Sequence, residues 1–205
     1  MCSGHHWEGK ILAIQPRILL NRSFDQRWED YLGYTLIVEG APDDRFTVSI
    51  SEEEQMNHVF QSGDRVRGHA TFGIDPDHDP AMYTGSELEL VHRGQTGRLA
   101  GPPWRGIPPE LDVYQERGYR RLADRTYAAH CVACLWGCEM AVEITIDHWN
   151  PRHKDHRTET FCFGPLSCKF HKAGPPRRVP GRKGMIYKEE DWVDEDATGH
   201  RDLDD

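Results

Sequence analysis

Five of the six cysteines of this 205-residue chain fall between positions 131 and 168, in the order Cys131-x2-Cys134-x3-Cys138-x23-Cys162-x5-Cys168. Thiols gathered this way, in a compartment that keeps them reduced, are better suited to holding a metal than to forming disulfides. Tetrahedral zinc takes four soft donors with sulfur about 2.3 Å from the ion, and a Cys-x2-Cys turn presents two thiolates whose charge the intervening amides stabilise. Cys131, Cys134, Cys162 and Cys168 are therefore the candidate ligands, with Cys138 and His171 as alternates. His130, His148, His153 and His156 crowd the same stretch, although a single histidine is more commonly a surface or core residue than a ligand. An iron–sulfur cluster, whose loops also space cysteines by two and three, is the alternative cofactor. A catalytic zinc needs an open position beside a general base. Ala128-Ala129-His130 ahead of Cys131 lacks the paired glutamate of a zinc deaminase, so a closed structural site is expected.

Two strands are placed to bring the cysteine pairs together. From Glu139 to His148, Met140, Val142, Ile144 and Ile146 alternate with Ala141, Glu143, Thr145 and Asp147, and Arg157 to Phe163 reads as the return. Knuckle, strand, turn, strand and second cysteine pair together resemble a zinc ribbon over residues 131–168. The second knuckle departs from that pattern, because five residues separate Cys162 from Cys168. Ahead of the cluster, Glu110 to Ala129 is expected to run as one helix, with Gly118 weakening its middle by about 1 kcal/mol. Arg117, Arg120, Arg121 and Arg125 recur at spacings of three and four and would form a basic stripe on that helix. Beyond the cluster, residues 169–184 are basic and broken by proline, so they are read as an extended segment outside any core. Lys169, Lys172, Arg177, Arg178, Arg182 and Lys183 join the arginine stripe as candidate nucleic-acid contacts, the alternative being a solvated, salt-bridged face.

Within the first hundred residues the dominant period is two. Tyr34, Leu36 and Val38 share one parity, as do Phe46, Val48 and Ile50, and Val66, Gly68, Ala70 and Phe72. Lys10 to Leu20 makes a first strand interrupted by Pro16, and Glu87 to His92 a last one. Ser51 stands three residues before Glu54 in capping-box spacing, which predicts a short helix with Met56, Val59 and Phe60 as its apolar stripe and Gly63 as its stop. Three strands, a helix and two strands, with Gly63-Asp64-Arg65-Val66-Arg67-Gly68 opening the fourth strand, resemble the OB-fold over residues 9–93. That resemblance implies a five-stranded Greek-key barrel and a binding face over strands two and three. Tyr31, Tyr34, Arg45, Arg67 and His69 are candidates for it, with Tyr34 equally placed by parity to belong to the core. Asp75-Pro76-Asp77-His78-Asp79-Pro80 reads as a hairpin loop; it lacks the register and central glycine of a calcium loop.

The fold class expected is mainly β with minor α: an OB-like five-stranded barrel, a small metal-stapled β ribbon and one helix. Residues 1–100 would form the barrel, 101–109 a Pro/Gly-rich linker, 110–185 the helix and Cys-rich unit, and 186–205 a disordered acidic tail in which Trp192 and Val193 could dock back. Lys and Arg number 25 against 34 Asp and Glu, for a net charge of -9. The charge is uneven: residues 1–100 carry -7, residues 101–185 carry +5 and residues 186–205 carry -7. The whole surface is too acidic to coat nucleic acid, but the basic block coincides with the cysteines. No apolar run approaches the roughly 18 residues of a membrane span, and the first residues lack the pattern of a secretion signal, so no membrane partner and a cytoplasmic location are expected. No nucleophile–base set, P-loop or dinucleotide fingerprint is found, which leaves catalysis unsupported. The leading reading is a zinc-stapled binding module associated with nucleic acid. One alternative is a protein-interaction or enzyme-accessory subunit, because OB-folds joined to zinc ribbons also resemble partner proteins of acyl-CoA enzymes, in which the ribbon comes first. The other is an iron–sulfur redox protein.

Overall fold

A computed structural model describes residues 5–41, 43–72, 81–95, 101–150 and 152–202; the Asp75–Pro80 loop lies outside them. The chain is mainly β. Its spine is β1 (His5–Ser23), followed by β2 (Arg27–Ala41), β3 (Phe46–Ile50), helix α1 (Glu52–His58), β4 (Arg65–Phe72) and β5 (Tyr83–His92). β1 pairs antiparallel with β2 along most of its length. Its other edge is shared: His5–Lys10 pair with β4 and Leu19–Ser23 pair, in parallel, with β7 (Gly137–Thr145). Pro16, which has no N–H to donate, stands in the interval between those two partners, where its missing donor interrupts neither ladder. β2 continues to β3, β3 to β5 in parallel, and β5 to β4, so the pairings return to β1.

The parities read from sequence hold except at Phe72, the last residue of β4, which is exposed. Leu36, Val38, Phe46, Val48, Ile50 and Val66 are buried together with Trp7, Ile11, Ile14 and Ile18 of β1. Tyr34 belongs to this core and donates from its hydroxyl to the Pro109 carbonyl at 2.9 Å, which removes it from any open stacking face. Tyr31 is half-buried, and Arg67 is paired with Glu89. The capping box forms, with Ser51 Oγ accepting from the Glu54 N–H at 3.1 Å and Glu54 accepting from the Ser51 N–H. The helix stops at Val59, in left-handed conformation, earlier than Gly63; of its expected stripe Phe60 is buried, whereas Met56 and Val59 are exposed.

The second half departs more from expectation. Instead of one helix over 110–129 there are α2 (Leu111–Arg117), a two-residue strand β6 (Arg120–Arg121), and α3 (Asp124–Thr126), which runs into a π-helical turn, Tyr127–Cys131. With α1, which the capping box predicts, and α4 (Asp191–Thr198), the described residues hold four α-helices where the expected fold class has one. The break lies at Gly118, whose φ of +64° ends α2. A Cβ there would lie 2.2 Å from the Ala197 carbonyl oxygen, so only glycine admits the backbone of α4. β7 and β8 (Lys154–Cys162) form the expected antiparallel hairpin, and β6 extends it. Through the β1–β7 pairing this hairpin joins the sheet of the first segment, and Met140, Val142, Ile144 and Phe161 enter the same core. Residues 101–109 are fastened along the way by bonds between Ser62 and Gly106 and from the Leu135 N–H to the Trp104 carbonyl.

Residues 186–202 carry a strand and a helix where a disordered tail was expected. β9 (Arg177–Pro180) lies within the basic segment that was expected to stay outside any core, and Val179 is buried. β9 pairs with β10 (Ile186–Glu189), and α4 follows with Val193 buried and Trp192 exposed. The acidic residues dock on arginines. Glu189 accepts from Arg22 at 2.6 Å and from Arg27 at 3.1 Å, and Asp191 and Asp194 both pair with Arg121, which is 1% exposed. Charges that look solvated in sequence are thus internal partners. No described helix is long and apolar enough to cross a membrane.

Candidate metal centre and basic surface

The first knuckle forms where the π-helical turn runs out. The Cys134 N–H donates to the Cys131 carbonyl and the Gly137 N–H to the Cys134 carbonyl, a tight reversal that delivers the chain into β7. The β7–β8 register sets Cys162 directly opposite Gly137, beside that knuckle. Cys131, Cys134 and Cys162 are all buried in one small cluster with Leu122 and Tyr127, against which Trp104, Val132 and Trp136 pack. Cys168 follows in a turn closed by N–H donation from Cys168 to Pro165 and from His171 to Cys168, and it is half-buried.

Cys131, Cys134 and Cys162 are each raised by their surroundings. Burial first, then Cys162, Cys134 and Cys168, push the Cys131 thiol up to about 12. Burial pushes Cys134 up to about 11 against the opposing pull of hydrogen bonds from the backbone of Trp136, Trp104 and Gly137. Cys162 is raised by burial and held down by the Gly164 N–H, 3.3 Å from its sulfur, and by Arg120. Those N–H groups are already aimed at sulfurs, the arrangement that stabilises a thiolate once a cation is present. A Cβ on Gly164 would press on the Cys162 sulfur and on Trp136, both at 3.3 Å. Among the described residues, no three His, Cys, Asp or Glu side chains stand close enough together, as placed, to hold an ion. The set therefore converges without closing.

The alternates separate from this set. Cys138 shares parity with Met140, Val142 and Ile144 and is fully buried in the main core, where its thiol donates to the Pro16 carbonyl at 3.3 Å. His171 lies nearer: its Nε2 is 3.2 Å from the Arg121 carbonyl, and burial, then Arg120, lower it to about 4, so the ring is neutral at physiological pH. The residue that sequence reasoning missed is Gln15. Its Nε2 donates to the Cys131 and Cys134 carbonyls at 2.9 and 2.8 Å, and its Oε1 accepts from the Tyr127 hydroxyl at 2.8 Å. The carbonyls at the end of the helical turn are thereby satisfied from β1, more than a hundred positions away in sequence. A glutamine alternating within an apolar strand, between Ile14 and Pro16, was the only local signal.

The expected arginine stripe does not form, because its members leave the break at Gly118 in different directions. Arg117 lies over the Trp136 ring at 4.5 Å and donates to the Phe163 carbonyl. Arg120 donates to the Pro165 carbonyl, and Arg121 is buried against Asp191 and Asp194. Arg125 alone of the four is exposed. In the later segment Arg177 is held by Glu159 and the Thr160 carbonyl, and Arg182 is 3.7 Å from Asp147. Lys169, Lys172, Arg178 and Lys183 are exposed and, with Arg125, form no ion pair with a described residue. Neither a protein-family model, nor a curated protein, nor a solved structure matches the chain.

Proposed function

We propose that this chain is a non-catalytic nucleic-acid-binding protein in which an OB-like barrel carries a ribbon stapled by structural zinc at Cys131, Cys134, Cys162 and Cys168. The barrel reading rests on pairings that run β1–β2–β3–β5–β4 and return to β1, with α1 between β3 and β4. The zinc reading rests on one observation above all: Cys162, distant in sequence, is buried in one small cluster with Cys131 and Cys134, with Cys168 in the turn that follows and backbone N–H groups directed at Cys134 and Cys162. An ion shared by these sulfurs would supply the charge that favours thiolate over thiol. Cys138, in the main core, is excluded from the set, and His171 is the reserve donor.

The nucleic-acid reading rests on the cations around the ribbon that have no ion pair among the described residues, together with the docking of Glu189 and Asp194 onto internal arginines, which withdraws those two acids from the surface. Elemental analysis of untagged protein is expected to give one zinc per chain, released by strong chelation with loss of structure around the knuckles. Brown protein containing iron and sulfide would replace zinc with the redox reading. Mobility shifts with single-stranded DNA and RNA are expected to show complexes at about 50 mM salt that weaken by 200 mM. No binding at the lower salt, with a stable protein partner recovered instead, would transfer the function to the accessory-subunit reading.

A further inference from the structure

Beside the first knuckle a groove of about 260 Å³ opens between the barrel and the ribbon, lined among others by Leu12, Arg45, Pro103, Arg105, His130 and Phe170. We propose that this groove, and not the Arg117–Arg125 segment, seats an unpaired base and its flanking phosphates from single-stranded nucleic acid. The inference rests on the nucleic-acid reading above and narrows it to one site.

Three observations carry it. The first is charge: among the described residues, Arg45, Arg105 and the adjoining Lys169 have no ion-pair partner and no acidic side chain lines the groove. In a chain of net charge -9, a concave site with only cations on its walls is a local attractor for a polyanion. The second is a prepared ring stack. His130 and Phe170 lie parallel, 4.4 Å between centroids and 8° between planes, with the Lys169 ammonium 5.2 Å from the Phe170 ring. Stacked rings with an adjacent cation give a base a flat, sequence-tolerant surface, and planar guanidinium groups grip phosphate oxygens. The third is position. His130 precedes Cys131 and Phe170 follows Cys168 by two residues, so each ring is held by one of the two cysteine pairs, while Leu12 arrives at the groove from the β-bulge between Ile11 and Ala13. The groove takes flat rings and is too small for a duplex, which would also keep its bases from stacking. The larger cavity, about 380 Å³ between the β1–β2 turn and α4, is lined by Asp25, Glu189 and Asp196 as well as Arg22 and Arg27, and both of its arginines are already engaged by Glu189.

The test is fluorescence anisotropy of the full chain with labelled oligo-dT, oligo-U and a duplex, over a salt series, for wild type and three surface variants whose folding is checked by circular dichroism. The double variant Arg45→Glu with Arg105→Glu is expected to weaken single-strand binding at least about tenfold and to flatten its salt dependence. Phe170→Leu is expected to weaken it about five- to tenfold with the salt slope unchanged. Arg152→Glu with Lys188→Glu, exposed charges away from the groove, is expected to change affinity less than about threefold. If wild type binds and the two groove variants bind equally well, the groove assignment is wrong and the broader nucleic-acid reading stands. If wild type binds no oligonucleotide, both fall. Equal affinity for poly-glutamate would make the groove a site for acidic polypeptide and overturn the proposal.

Discussion

Gln15 shows how one side chain sets the position of a site it does not belong to. Replacing it with leucine keeps the volume but removes the second donor from the Cys131 and Cys134 carbonyls, each still bonded within the knuckle, and leaves the Tyr127 hydroxyl without its acceptor. Each stranded buried group costs about 1–3 kcal/mol, so Gln15→Leu is expected to lower the unfolding free energy measured in urea by at least one such increment. Metal content should fall with it, because the knuckle loses its attachment to β1. Among the cysteines the two roles are separable. Cys131→Ser and Cys162→Ser are expected to abolish stoichiometric zinc. Cys138→Ala, in the main core, is expected to retain it while costing about 1 kcal/mol of packing. Zinc lost from Cys138→Ala and kept by Cys131→Ser would invert the ligand assignment.

At the scale of elements, α4 and the β9–β10 pair form a clasp held by charge as much as by Val193. Arg121 is buried with Asp191 and Asp194 as its acidic partners, so changing both to asparagine leaves a guanidinium out of water with no counter-charge. Breaking a buried pair from one side costs about 3–5 kcal/mol. Because Asp191 is itself open to solvent, the loss expected for Asp191→Asn with Asp194→Asn lies at the lower end, read as a drop in melting temperature. Glu195→Gln, an exposed charge on the same helix with no ion pair to a described residue, is expected to change stability by no more than about 0.5 kcal/mol. A disordered tail would make the two variants indistinguishable. Gly118 belongs to the same clasp: read locally it is only a weak spot in a helix, and what makes it the end of α2 is the arrival of the Ala197 carbonyl from the far end of the chain.

The whole molecule carries a consequence in alkali. Tyr114, Tyr119 and Tyr127 are all raised well above the ordinary tyrosine value of 10, by burial first, and their hydroxyls donate to the Leu135 carbonyl, Glu29 and Gln15 respectively. The folded state thus holds these protons more tightly than the unfolded chain does. The stability they contribute is fully present below pH 10 and is lost as pH rises above it, when the unfolded chain ionises and the folded one does not. In an alkaline titration, tyrosinate absorbance from these three is expected to appear together with the loss of β-sheet circular dichroism; ionisation with the fold intact would contradict their burial. Much of the architecture was legible beforehand because its causes are local. A period of two marks a half-buried strand, Ser51 and Glu54 meet within a single turn, and cysteines spaced by two face one another across a knuckle. The fate of the charges was not legible. An arginine bound for a buried partner such as Asp194 has the same neighbours in sequence as one bound for water, and Arg121 and Arg125 are told apart only when residues some seventy positions downstream fold back onto one of them. Sequence alone therefore determined the strands β1 to β5, β7 and β8, the capped helix and the spacing of the thiols. The tertiary structure decided which cations remain free to meet a ligand, because desolvation and pairing depend on which distant segments arrive, and that is a property of the packed chain.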